Sequence, residues 1–176
     1  MAACTTTLPL TALSQLFGEH HRRVLTAAYR ITGSMADAED VAQAVFLRLA
    51  GANGPVTNAG SYLYRAAING ALDLLRHRKT AQAEPLEYAA NVAMAGTGSS
   101  PEAEAASREL GSLLRTAIGE LPPRAAEMFV LRYVEEHGNR EIAALMGTSQ
   151  AVVAVTLHNA RSRLKKRLSQ LERGKQ

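Results

Sequence analysis

The chain has 176 residues, 47% of them apolar, enough for one packed domain or two small ones, and with 5% aromatics and no tryptophan any core must be mostly aliphatic. A single cysteine, Cys4, excludes an intrachain disulfide and a thiolate metal cage; no apolar run approaches membrane-spanning length and no basic-then-apolar signal layout opens the chain, so the cytoplasm is the simplest compartment. The net charge of +4 is mild but unevenly spread: six acids face two bases between Glu84 and Glu120, whereas bases dominate beyond Glu141, a segregation that predicts an anionic partner for particular faces.

Residues Met1 to Pro9 read as a loose leader. From Leu10 the helical period is clear: Leu13, Leu16, Phe17, His20, Val24, Ala28 and Ile31 share a face, and Gly33-Ser34 ends the run. The His20-His21 pair makes a poor metal site, because adjacent helical residues diverge and no carboxylate or cysteine ligand accompanies them. The next helix, Ser34 to Ala50, opens with a Ser34 or Asp37 cap and acids in its first turn, where the helix dipole favours them. Val41, Val45 and Leu49 form its inward stripe and leave Asp40, Gln43 and Leu47 facing outward. Carboxylates crowded into one turn, with no histidine or second acidic cluster to complete a site, do not make an acid/base or metal centre.

Gly51 to Gly60 is turn chemistry and predicts a surface loop. The helix after it, Ser61 to Thr80, carries Leu63, Ala66, Ala67, Ala71, Leu74 and Leu75 inward. Outward it offers Tyr62, Arg65, Asn69, Asp73, Arg76, Arg78 and Lys79. An aromatic interleaved with amides and cations suits single-stranded nucleic acid, since bases stack on rings and guanidinium planes while cations follow the backbone. Taken by itself, the same helix reads as a solvated polar face. From Thr80 to Pro101 the period dissolves into an Ala/Gly/Ser/Thr-rich stretch, the composition of an interdomain linker. Helical signal resumes near Glu102 and runs through Leu110, Leu113, Leu114, Ala117 and Ile118 to the break at Pro122.

Leu121-Pro122-Pro123 is a helix start, with Ala126, Phe129, Val130 and Tyr133 on one face. A short helix from Asn139 to Gly147 follows, with Asn139 as its expected cap and Ile142, Leu145 and Met146 as its apolar side. Thr148-Ser149 then caps a third helix whose Val153, Leu157, Ala160, Leu164, Leu168 and Leu171 form a continuous stripe. Gly147 at the joint makes this pair a helix-turn-helix, whose second helix can lie in the major groove with its first turns on the base edges. The outward residues there include Gln150, Val152, Val155 and His158, and Arg161, Arg163, Lys165, Lys166 and Arg167 follow as a phosphate-seeking run. The expected fold is therefore all-α: a domain over residues 10–80, a flexible linker over 81–101, and a helix-turn-helix domain over 102–176.

Together these pieces resemble a bacterial RNA polymerase sigma factor of the extracytoplasmic-function type. AEDVAQAVFLRL, Ala38 to Leu49, is similar to the family's core-binding helix; SYLYRAAINGALDLLRHRK, Ser61 to Lys79, resembles the helix that melts and reads the minus-10 element; LPPRAAEMFVLRYVEE with REIAALMGTSQAVVAVTLHNARSRL resembles the domain that reads the minus-35 element. The resemblance implies core-polymerase contacts at Glu39, Asp40, Gln43 and Phe46, and minus-10 contacts at Asn58, Tyr62, Arg65, Asn69, Asp73 and Arg76. It implies minus-35 contacts at Arg140, Ser149, Gln150, Val152, Thr156, His158, Arg161, Arg163 and Lys165. The implied partners are core RNA polymerase, promoter DNA and, as for some members, an anti-sigma factor. No catalysis, cofactor, metal or small-molecule substrate is implied.

Some positions depart from the family's pattern. Ala44 stands for its glutamate, Tyr62 for its tryptophan and Ile68 for an arginine, while Val152, Ala154, Thr156 and Asn159 replace polar or cationic residues of the recognition helix. Two other readings follow. A stand-alone helix-turn-helix regulator accounts for Leu121 onward but not for the acidic-amide face of Ala38 to Leu49; a sigma-like adaptor that binds polymerase or an anti-sigma protein without initiating accounts for the thinned recognition helix.

Overall fold

Helix α1 (Leu10–Thr32) stops where Gly33 turns left-handed, φ 70°, and donates its N–H to the Tyr29 carbonyl, a conformation that a Cβ would strain. One residue later Ser34 caps α2 (Met35–Ala50), its Oγ accepting the N–H of Asp37. Asn58 does the same for α3 (Ala59–Ala81): its Oδ1 accepts the Ser61 N–H at 3.1 Å from a left-handed backbone, φ 61°, which asparagine tolerates. Because of that cap α3 begins at Ala59 rather than Ser61. The computed structural model describes residues 9–52, 58–81 and 101–173; the leader ahead of residue 9, the linker between 81 and 101, and loop residues 53–57 lie outside the described residues.

The remaining helices are α4 (Pro101–Gly119), α5 (Pro123–Tyr133), α6 (Asn139–Met146) and α7 (Gln150–Arg173). Pro122 and Pro123 start α5 as expected. The cap of α6 is Gly138, not Asn139: the Gly138 N–H donates to Oε2 of Glu141 at 2.7 Å, and Asn139 is the first helical residue. Gly147, φ 59°, closes α6 and turns the chain into α7, where Ser149 Oγ accepts the N–H of Val152 at 3.2 Å.

Helices α1 to α3 bury Val24, Ala28 and Ile31 against Val41, Val45 and Leu49 and against Leu63, Ala67 and Ala71. Gly70 lets α2 approach α3 closely, since a Cβ there would lie 3.2 Å from Val41 Cγ1. Helices α5 to α7 bury Met128 and Leu131 with Ile142 and Met146 and with the Val153, Leu157, Ala160, Leu164 stripe. The fold is all-α, with a helix-turn-helix as its C-terminal half.

Three faces differ from the periodicity. Tyr64, Ile68 and Leu72 lie off the expected stripe of α3 and are nonetheless buried, because α3 packs on α1 and α2 along one side and on α4 and α5 along the other. Phe17 was expected inside and is 46% exposed, and Tyr133 is 45% exposed. Helix α5 is instead turned so that Met128, Leu131 and the side chain of Glu127 face inward, since it must meet α3 as well as α7. Through α3 the two halves share one hydrophobic core. Near Gly119 the helices α3 and α4 pack tightly, since a Cβ there would sit 3.4 Å from the Leu75 backbone.

Candidate polymerase and nucleic-acid interfaces

The outer face of α2 carries Glu39, Asp40 and Gln43 in solvent, and beside them Leu47, 65% exposed. Phe46, expected on this face, is buried at 6% exposure, its ring 4.9 Å from that of Phe17. The aromatic at this surface is therefore Phe17 of α1, stacked 4.4 Å from His21. A three-residue step from Gln43 places Phe46 toward α1, and only the packing of α1 on α2 makes this visible. Asp37, at the head of the same helix, is held by Arg78 of α3 at 2.5 Å and does not belong to the open acidic face. What remains is an apolar rim with acids and an amide, a surface suited to a basic and amphipathic protein partner.

On α3, Asn58, Tyr62, Arg65 and Asn69 line one groove of about 700 Å3. Arg48 of α2 joins them and was missed by the sequence reading; its signal was a basic residue in the last, exposed turn of α2. Asp73 and Arg76 lie further along and pair with each other at 2.6 Å, so they do not meet in the same groove. The opposite wall comes from α6, through Ala144 and Leu145. Arg65 is engaged here: its Nε–H donates to Oε1 of Glu127 at 2.7 Å, and Glu127 is 4% exposed. Next to it the Tyr64 hydroxyl donates to Oε2 of Glu135 at 2.8 Å, and its ring lies 4.2 Å beneath the Arg23 guanidinium. Burial first, and then the bond to the Glu135 carboxylate, pushes the Tyr64 hydroxyl well above its ordinary pKa.

The recognition helix presents Ser149, Gln150, Val152, His158, Arg161, Arg163 and Lys165 to solvent, with Thr156 half-buried and Arg140 exposed on α6. Val155, 62% exposed, adds to an apolar front that can meet thymine methyls. Arg167, read from sequence as part of the basic run, is drawn back to Glu120 at 2.7 Å. A second groove of about 610 Å3 runs between α5 and α7, where Arg124, Thr156, Asn159, Ser162 and Arg163 come together. Arg124 also lies 3.5 Å from the Met146 carbonyl, which holds it at the joint of the helix-turn-helix. Sequence reasoning gave Arg124 no role of its own within the stretch that resembles the minus-35 domain, yet it stands beside the positions where the recognition helix lacks cations.

Among the described residues no helix is long and apolar enough to cross a membrane. Residues 16–81 match the family model for sigma-70 region 2, and residues 112–164 that for sigma-70 region 4. The chain is similar to the ECF RNA polymerase sigma factor SigW of Bacillus subtilis, 27% identical over 181 residues, spanning 91% of this chain and 90% of that protein. It is also similar to the RNA polymerase sigma factor CarQ of Myxococcus xanthus, 32% identical over 164 residues, spanning 92% and 91%. The sigma factor RpoE of Bartonella quintana, solved with the anti-sigma factor NepR, superposes with a TM-score of 0.46 at 18% identity, covering 90% of this chain and 95% of that one. With both sigma-70 regions in order and a relative at 32% identity along nearly its whole length, the chain belongs to the bacterial RNA polymerase sigma factors of the extracytoplasmic-function type.

Proposed function

We propose that this sigma factor works in the cytoplasm through three separate faces, with residues 10–80 and 102–176 as its two functional domains around the linker. Glu39, Asp40 and Gln43, with Leu47 and Phe17 as apolar neighbours, dock on core RNA polymerase. Asn58, Tyr62, Arg65 and Asn69, with Arg48, hold the unpaired minus-10 strand, by stacking and by hydrogen bonds to bases that a closed duplex would hide. Arg140, Gln150, Val152, His158, Arg161, Arg163 and Lys165 engage the minus-35 duplex, with Arg124 supplying a phosphate contact beside Thr156 and Asn159. The chain contributes specificity and the polymerase contributes the chemistry.

The observation that carries this reading is the outer face of α2, where acids, an amide and an exposed leucine stand together without serving the core. A stand-alone duplex-binding regulator has no use for such a face. Run-off transcription with purified core polymerase on genomic fragments tests it: the wild-type chain should yield discrete products. Asp40→Ala with Gln43→Ala should abolish them and weaken core binding by on the order of 2 kcal/mol while leaving the fold intact. Discrete products at wild-type level from the double variant would overturn the reading.

A further inference from the structure

The first turns of α7 carry an apolar line where a helix that reads a duplex needs side chains able to meet base edges. At 3.6 residues per turn, Val155 lies nearly opposite the buried Val153, Leu157, Ala160 stripe, with Ala151 and His158 one turn to either side and Val152 beside it at i−3. Val155 is 62% exposed and Val152 48%, so neither serves the core, and alanine at both positions would make the better helix. The polar groups nearby are engaged or turned away. Ser149 Oγ caps the helix by accepting the Val152 N–H at 3.2 Å, Thr156 is half-buried, and Asn159 lines the groove between α5 and α7 beside Arg124. Gln150 and His158 remain as the polar side chains of these turns that stand in solvent toward a base edge.

We infer that Val152 and Val155 read thymine methyl groups, so that the minus-35 element of this sigma factor is selected through thymines at two neighbouring steps. The inference deepens the reading that α7 engages that duplex, and rests on it. In the major groove the C5 methyl of thymine is the apolar feature, whereas guanine offers two acceptors and cytosine an amino donor. A valine laid against thymine buries methyl on methyl. Laid against a G·C pair, it strips water from polar groups that it cannot bond, and affinity falls. A helical valine has one strongly preferred χ1 rotamer, so both side chains are set before DNA arrives and lose little freedom on contact. Their Cβ atoms, at i and i+3, stand about 5–6 Å apart, between one and two steps of about 3.4 Å along a strand. The occupant is a duplex rather than an apolar protein surface because cations accompany the line: Arg140 on α6 and Arg161, Arg163 and Lys165 on α7 are all exposed, the side chains that seek phosphate.

The test selects bound duplexes from a short randomised pool with the full chain, whose recognition helix is exposed without a partner. The winners should carry thymines at two neighbouring steps. Deoxyuridine in place of either thymine removes the methyl alone and should weaken binding about fourfold, the partition of one buried methyl group. That loss should vanish at one step in Val155→Ala and at the other in Val152→Ala, because each variant lacks the partner of one methyl. Both variants should keep the fold, since the positions are exposed and alanine favours the helix. Winners without a thymine preference, or deoxyuridine duplexes that bind wild type as tightly as their thymine counterparts, overturn the inference, as does a loss of equal size in wild type and both variants. If Arg163→Gln still weakens duplex binding in that case, α7 engages DNA and only the methyl readout is lost. If no duplex is enriched and Arg163→Gln changes nothing, the reading falls and the inference with it. A Val152→Ala, Val155→Ala chain that discriminates duplexes as wild type does but no longer binds core polymerase overturns the inference by making this line a protein-docking surface.

Discussion

Helix α3 and helix α7 both carry arginines on a face assigned to nucleic acid, yet their surroundings differ. Along α3, Arg65 is bonded to a buried glutamate and Tyr64 to Glu135, whereas along α7 His158, Arg161, Arg163 and Lys165 lie in solvent. The cause is apolar surface, not charge. Helix α3 has a second hydrophobic line, Tyr64, Ile68 and Leu72, that must be covered, and what covers it also covers the cations beside it. Helix α7 has one stripe, satisfied by α4, α5 and α6, so the polar face of its first turns has no need of cover, and it is Arg167, near its far end beside α4, that is drawn to Glu120. Charged side chains on a two-sided helix are therefore drawn into intramolecular pairs that the same side chains on a one-sided helix escape.

The largest break in this comparison should come from truncating one arginine of each kind. Arg65→Ala leaves the Glu127 carboxylate buried without its guanidinium and should cost about 2 kcal/mol, below the 3–5 of a dry pair because Arg65 is partly exposed. Arg161→Ala should stay within about 0.5 kcal/mol. Urea unfolding midpoints decide it, and equal losses at the two positions would remove the distinction.

A smaller effect sharpens the α7 side. Arg124→Gln and Arg163→Gln should each flatten the dependence of log K on log salt for a duplex by about 0.9, with no change in base preference, because a phosphate contact positions and does not specify. Lys at either position should restore the slope. A slope that is unchanged in Arg124→Gln would confine the duplex contact to α7 and leave the groove between α5 and α7 without a role.

The smallest effect is one of pH at Tyr64. Its pKa is raised in the folded chain, so the contact is at full strength below the ordinary tyrosine value of about 10 and is lost as pH rises above it. The wild type should thus become less stable above about pH 10 by a step that Tyr64→Phe lacks, while Tyr64→Phe should cost about 1 kcal/mol at neutral pH for the lost hydrogen bond. Parallel stability curves for the two proteins from pH 8 to 11 would show that the hydroxyl bond to Glu135 contributes nothing to stability.

Much of the site was legible because it lies on amphipathic helices with clear stops. Gly33, Ser34, Pro122, Gly147 and Ser149 punctuate the helices where their local chemistry says they should. With those ends in place, the exposed set of α2 and the first turns of α7 follow from a period of 3.6 residues. The misplacements share a cause: Phe46, Phe17 and Tyr133 sit at the border of a stripe, where a small rotation of the helix decides between water and core.

By itself, then, the sequence determined the helices, most of their ends, the helix-turn-helix and the motifs that assign the family, since each depends on neighbours within a few turns of chain. Only the tertiary structure decided which cations are open and which are held, because Arg65 meets Glu127 across 62 positions of sequence and Tyr64 meets Glu135 across 71. Periodicity reports how a helix divides into faces. It is silent on how many of those faces another helix will cover, and on α3 that number decides that Arg65 is held by Glu127.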